Sequence, residues 1–204
     1  MARNESLWSE KMNWIVIGYF TKNTFYEKHA RIFIKSLERF DIPYYIEGVD
    51  NLGSWQKNTS HKPTFIKQML KKFPDKNIVY VDCDAKFMEY PVLFDNLDCD
   101  IAVHNFDRRN HPNIKIEAWE ILSGTIFLRN NEVSYALVEK WERMCQNAPM
   151  TWDQKHLAKI IGTNYYDLPG EYCKIHNLMK HIKNPVIVHY QASRTVRKRK
   201  GKLN

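Results

Sequence analysis

The chain has 204 residues, 44% hydrophobic, 13% aromatic and 26% charged, a globular composition long enough for one α/β domain with a sizeable core and barely for two. No apolar run approaches the length of a membrane span, and the stretch Trp14–Phe20 is preceded by Glu5, Glu10 and Lys11, the wrong flank for a secretory leader. Of the formal charge of +8, Arg194, Arg197, Lys198, Arg199, Lys200 and Lys202 supply six, which leaves +2 for the rest, so the basicity reports a tail more than a basic fold.

The first dozen residues show no clear period and are expected to be a loose lead-in. Trp14–Tyr19 predicts a first buried strand, followed by a polar loop at Thr21–Thr24. Tyr26, Ala30, Phe33, Ile34 and Leu37 then recur at helical spacing. Pro43 ends that helix, and Tyr44–Val49 predicts a second strand. A β-α-β unit with so short a return favours a parallel pair. Residues 48–62 are polar and expected to be irregular. Pro63 suits the first turn of a helix over Thr64–Phe73. Lys62 then stands at a helix N-terminus, as a solvated loop residue or as a contact for a phosphate.

Ile78-Val79-Tyr80-Val81 is a continuous apolar run, the mark of a strand buried on both faces, and it runs into Asp82-Cys83-Asp84. Ligands collect beyond the carboxyl ends of strands in open α/β sheets. Residues two apart in extended chain point the same way, so Asp82 and Asp84 can converge on a divalent cation with oxygen ligands. Cys83 points to the opposite side. A second pair, Asp98 and Asp100, precedes the run Ile101–Val103 and therefore occupies the wrong end of its strand; it predicts turn and cap chemistry.

Asp107–Asn113 predicts a polar loop. Ser123-Gly124 opens the strand Thr125–Leu128, with Gly124 allowing either a bulge or close approach of backbone to a ligand. Asn130 or Asn131 caps a helix over Val133–Cys145. The spacing Thr151…Gln154 matches a capping box, with Asp153 in the first turn. Tyr165–Leu168 and Val186–Val188 predict two last strands, and His189 follows the second of them, where it can supply a third metal ligand. Cys83, Cys99, Cys145 and Cys173 show no CxxC spacing, which argues against a zinc site or redox pair and fits a reduced, cytoplasmic setting. The expected division is a lead-in over 1–12, one domain over 13–193 and a basic tail over 194–204. That tail suits contact with nucleic acid or an anionic membrane surface, or simple solvation.

Taken in order, Val79–Asp84, Leu122–Leu128, Trp152-Asp153-Gln154 and Val188–Arg194 resemble the GT-A-fold nucleotide-sugar glycosyltransferases, especially small phage and bacterial nucleotide-diphospho-sugar transferases. The likeness covers roughly Asn13–Arg194. It implies a single Rossmann-like nucleotide-sugar-binding domain with a central mixed, mostly parallel sheet flanked by helices. It further implies that Asp82 and Asp84 form the DxD motif, holding Mn²⁺ or Mg²⁺ against the donor pyrophosphate, and that His189 completes the metal site. Tyr19 and Thr21 fall where such enzymes hold the nucleoside, and Ser123 and Gly124 where they line the sugar pocket. Asp153 and Gln154 fall where they contact donor sugar or acceptor near the reacting carbon.

Transfer of a sugar from a nucleoside diphosphate builds negative charge on the departing oxygen, which a cation stabilises and to which Lys62 and Arg194 can add. The resemblance makes a UDP-sugar the leading donor and favours retention of configuration. The acceptor expected is a surface or lipid-linked glycan or a modified DNA base. Two other readings of the paired carboxylates stand beside it: a metal-dependent nuclease or nucleotidyltransferase acting on nucleic acid, and a non-catalytic nucleotide-binding module.

Overall fold

The computed structural model describes residues 2–3, 12–108 and 119–192; Arg194, the basic tail and most of the 107–113 loop lie outside them. The first elements are β1 (Ala2–Arg3), β2 (Trp14–Thr21), α1 (Tyr26–Glu38), β3 (Tyr44–Val49), α2 (Trp55–Ser60), α3 (Lys62–Lys72) and β4 (Asn77–Val81). They are followed by β5 (Ala85–Phe87), β6 (Ile101–Asp107), β7 (Trp119–Leu128), α4 (Glu132–Asn147) and α5 (Asp153–Ile160). Three short strands close the chain: β8 (Tyr166–Asp167), β9 (Lys174–Ile175) and β10 (Ile187–His189).

Seven strands make the central sheet, in the order β1-β3-β2-β4-β7-β6-β8. The expected β-α-β unit is present, with β2 parallel to both β3 and β4. The sheet is mixed, since β7 runs antiparallel to both β4 and β6 and β1 is antiparallel to β3, while β8 pairs parallel with β6. Three of the six pairings are therefore parallel, fewer than a mostly parallel sheet has. Alternation along β2 and β4 divides the core between the two faces. Trp14, Val16, Val79 and Val81 pack with Phe33 and Leu37 of α1. Ile15, Ile17, Ile78 and Tyr80 pack with Phe65 and Ile66 of α3, Trp141 of α4 and Leu157 of α5.

Four local readings change. Residues 48–62 contain α2, whose N-cap Ser54 accepts from Lys57 N–H; none of its six residues is buried, so it left no apolar period to read. Strand β7 begins at Trp119, six residues before the expected start, because it extends past β4 to pair with the far half of β6 beyond an irregularity at Val103/His104. The capping box at Thr151 does not form: Trp152 is the N-cap of α5 and its side chain makes no capping bond. The last strand, β10, joins no central strand and forms a separate three-stranded sheet with β5 and β9.

Asp98 and Asp100 lie at the opposite end of the sheet from Asp82, as expected. Arg129 donates to Asp98 at 2.6 Å, Asn131 donates to Asp100 at 2.6 Å, and the Asp100 carbonyl accepts from Ser134 Oγ. Asn131 is the cap of α4. Asp100 thereby fixes a helix start, while Asp98 pairs with an arginine just before it.

Candidate active site

At the carboxyl end of β4 the main chain turns through Asp82–Asp84 into β5, and β10 pairs with β5 so that His189 lies opposite Ala85. Two remote segments thus converge. Asp82, Asp84 and His189 each present a ligand atom, all within 4.8 Å of one another. Beyond β10 the chain folds back over the turn: Tyr190 N–H donates to the Asp84 carbonyl and Ala192 N–H to Asp84 Oδ2 at 2.8 Å. Gln191, at φ 51°, takes the left-handed conformation that this reversal requires.

Each of the three side chains is oriented. Asp82 Oδ1 accepts from Tyr80 OH at 2.9 Å and lies 3.2 Å from Lys62 Nζ. Its other oxygen faces the space over Gly124, where an added Cβ would come within 3.4 Å of it and within 3.2 Å of His189 Nδ1. Gly124 lies within the β6–β7 irregularity, where residues 123–125 have no partner on β6, and its missing side chain leaves room for the histidine beside the aspartate. On the far edge of the imidazole, Nε2 lies 2.8 Å from Thr125 Oγ1, and that hydroxyl donates to the Tyr172 carbonyl at 3.1 Å. A hydroxyl has one proton. With it spent on Tyr172, Thr125 accepts from Nε2–H, and Nδ1 keeps its lone pair toward the aspartates.

Electrostatics agree with that assignment. Burial pushes His189 down to about 4, against the pull of Asp82 and with Lys62 adding to the effect, so the ring is neutral near pH 7. Burial and the neighbouring Asp82 push Asp84 up to about 6. Two carboxylates and a neutral imidazole are a donor set that suits a divalent cation such as Mn²⁺ or Mg²⁺.

Lys62 is buried at the start of α3, and its side chain turns inward. Its ammonium lies 2.9 Å from Asp153 Oδ2 and 3.2 Å from Asp82, and donates to Ser123 O and Oγ at 3.0 and 3.1 Å. Burial opposes its charge, but Asp153 and Asp82 outweigh that and raise its pKa, so it stays protonated. Ser123 Oγ in turn donates to Asp153 Oδ2 at 2.9 Å. Asp153 is 4% exposed. Its neighbour Gln154 donates through Nε2 to Glu120 at 2.6 Å, and Glu120 is ion-paired with Arg108.

These residues line one cleft of about 340 Å³, within the range of small-ligand sites. Tyr19 and Thr21 lie along it at the end of β2, where Tyr19 OH donates to Asn58 O of α2 at 2.7 Å. The cleft thus brings together Tyr19, Thr21, Lys62, Asp82, Asp84, Ser123, Gly124, Asp153, Gln154 and His189. Tyr80, Thr125, Glu120 and Arg108 were not singled out from sequence. Tyr80 had a signal, since it lies two residues before Asp82 on the same face of the strand.

Residues 21–203 match the family model of the nucleotide-diphospho-sugar transferases. The chain belongs to that family. Membership favours sugar transfer over nuclease or nucleotidyl transfer. No curated protein matches the chain by sequence. Its architecture is the GT-A fold of solved glycosyltransferases. A glycosyltransferase involved in glycosylation of the major capsid of PBCV-1 superposes with a TM-score of 0.66 at 18% identity, over 94% of this chain and all of that one. The glycosyltransferase GlyE of Streptococcus pneumoniae TIGR4 gives 0.59 at 15% identity; 89% of this chain spans 55% of GlyE. The galactosyltransferase LgtC, solved with donor and acceptor sugar analogues, gives 0.55 at 9% identity over 87% of each chain.

Proposed function

We propose that this member of the family is a metal-dependent glycosyltransferase that moves a sugar from a nucleoside diphosphate, a UDP-sugar in the first instance, to an acceptor hydroxyl. The observation that carries the reading is the convergence of Asp82, Asp84 and a neutral His189 at the carboxyl end of β4. Charge supports it. Among the described residues lining the cleft, four carboxylates (Asp82, Asp84, Glu120, Asp153) face two cations (Lys62, Arg108), and both cations are engaged with carboxylates. A doubly charged pyrophosphate would be repelled from such a cleft unless a divalent cation entered with it. Mn²⁺ or Mg²⁺ held by the three residues would supply Lewis-acid stabilisation of the departing oxygen.

The protein's own groups divide the remaining work. Tyr19 and Thr21 hold the nucleoside at the end of β2, and Gly124 admits the donor close to the backbone of β7. Lys62 fixes Asp82 and Asp153 relative to each other and adds positive charge near the leaving group. Asp153 Oδ2 is committed to Lys62 and Ser123, and Glu120 to Arg108 and Gln154. Among the described residues of the cleft both of these carboxylates are thus already engaged, and the base we assign to the acceptor proton is the departing phosphate oxygen, with attack from the leaving-group face and retention of configuration. Gln154, beside the reacting carbon, orients the sugar through its amide.

Mass-spectrometric product analysis with a panel of nucleotide sugars, with Mn²⁺ or with EDTA, tests the reading. The expected result is metal-dependent release of nucleoside diphosphate, lost in Asp82→Asn and Asp84→Asn. Donor turnover that survives EDTA and both substitutions would sink it.

A further inference from the structure

The rim of the cleft carries an aromatic pair to which the donor roles described above assign no part. Trp55, the first residue of α2, and Trp152, the N-cap of α5, meet nearly at right angles with ring centroids 5.7 Å apart. Both line the cleft, and Trp152 is 40% exposed, although a tryptophan has more apolar surface to gain from burial than almost any other side chain. The Lys155 ammonium, 5.2 Å from the Trp152 ring, steadies the indole through a cation–π contact. Trp152 directly precedes Asp153, the buried carboxylate held by Lys62, so the pair stands at the edge of the reacting centre. Inside it three planar polar side chains are joined in a row: Arg108 donates to Glu120, which accepts from Gln154.

Building on the transferase reading, we infer that Trp55 and Trp152 form the acceptor platform and that the acceptor is a carbohydrate. The face of an indole is electronegative and attracts the polarised C–H bonds on the apolar face of a pyranose. The carboxylate, guanidinium and amide groups of Glu120, Arg108 and Gln154 have the planar, two-pronged geometry that meets neighbouring hydroxyls in pairs. A stacked base would also suit the indoles, but a nucleic acid brings phosphates that need unengaged cations. Among the described residues, the cleft offers it instead an excess of carboxylates, with both lining cations paired. A neutral polyol enters without that repulsion.

The test uses the full chain, saturated with Mn²⁺ and its tightest-binding nucleoside diphosphate. The protein is applied to a printed glycan array, and the best oligosaccharide is then titrated in solution, in parallel with single- and double-stranded DNA oligonucleotides. The expected result is glycan binding that weakens about tenfold or more in Trp55→Ala and in Trp152→Ala, and by no more than about threefold in Trp152→Phe, which keeps an aromatic face. Nucleoside diphosphate affinity, measured on the same preparations, is expected to stay within about threefold of the parent, because stacking at the platform is local. Glycan binding indifferent to both alanine substitutions overturns the inference, as does binding of DNA without binding of any glycan, or of neither. Loss of nucleoside diphosphate affinity in step with glycan affinity overturns it too, by returning the tryptophans to the donor site. Absence of nucleoside diphosphate binding in the parent protein refutes the transferase reading itself, and is read separately from these outcomes.

Discussion

Protons and metal compete for the same three side chains, and the competition has a predictable size. Asp84 is pushed up to about 6 and His189 down to about 4. At pH 5 the metal-free site therefore holds about one proton, nine-tenths of it on Asp84, and at pH 7.5 almost none. Metal ligands must be unprotonated, so Mn²⁺ binding should release about one proton at pH 5 and none at pH 7.5. Its affinity should fall about tenfold between those values, with the break near pH 6. Isothermal titration in buffers of different ionisation enthalpy counts the protons directly. Asp84→Asn should bind Mn²⁺ more weakly but almost independently of pH over this range. If histidine were instead an ordinary titrating ligand, the pH dependence would survive in Asp84→Asn and the His189 ring resonances of the metal-free protein would titrate near 6.5. Either result would falsify the neutral, hydroxyl-anchored histidine inferred from Thr125.

The same two shifts have opposite effects on folding. Asp84, with its pKa raised, contributes stability that is present at low pH and lost as pH rises from about 4 to about 6. His189, with its pKa depressed, costs stability at low pH, because the unfolded chain gains a proton that the folded one refuses; that cost disappears as pH rises through 6.5. Between about pH 4 and 6 the two slopes, each about 1.4 kcal/mol per pH unit, cancel. Removing the carboxyl in Asp84→Asn should unmask the histidine slope, so that the stability of the metal-free variant relative to the parent rises with pH across this interval.

Further outcomes follow from single contacts. Thr125→Val keeps the shape but removes the hydroxyl between His189 and Tyr172; Mn²⁺ affinity should drop about 10- to 100-fold, measured by titration, while the fold persists. Gly124→Ala puts a methyl group against His189 and Asp82 and should also weaken Mn²⁺ binding about tenfold or more, with little change in urea midpoint. Lys62→Met strands the buried Asp153 carboxylate, which should cost about 3–5 kcal/mol in urea unfolding, the half-exposed Asp82 arm adding little. Adding Asp153→Asn to that variant should recover part of the loss. Asp98→Asn, in the other Asp-x-Asp pair, should leave metal affinity unchanged, and any coupling to the metal site would contradict the placement of that pair at the far end of the sheet.

Much of the frame was legible because the relevant signals are local. The apolar run Ile78–Val81 had to be a doubly covered strand, and its central place between β2 and β7 follows. The period of α1 and the cap at Asn131 are set within a few residues, and the structure has both. Helix α2 was not legible, because an element with no buried residue has no hydrophobic period. The first half of β7 was not legible for a different reason: its partner is the far half of β6, a strand earlier in the chain, across an irregularity that no local pattern marks.

The sequence by itself determined that two carboxylates stand at the mouth of a buried strand, on the ligand-binding end, and that Asp98 and Asp100 occupy the other end. Strand periodicity and direction suffice for both. Only the tertiary structure decided what surrounds them. His189 reaches Asp82 through a second sheet, Thr125 sets which nitrogen is free, and Lys62, from a helix start expected to face solvent or phosphate, is buried between Asp82 and Asp153. The contacts of His189 with Asp82 and Thr125, and of Lys62 with Asp153, join residues more than sixty positions apart, and even Lys62 and Asp82 belong to different elements. Their protonation states depend on burial and on charges brought together by folding, which no local pattern encodes.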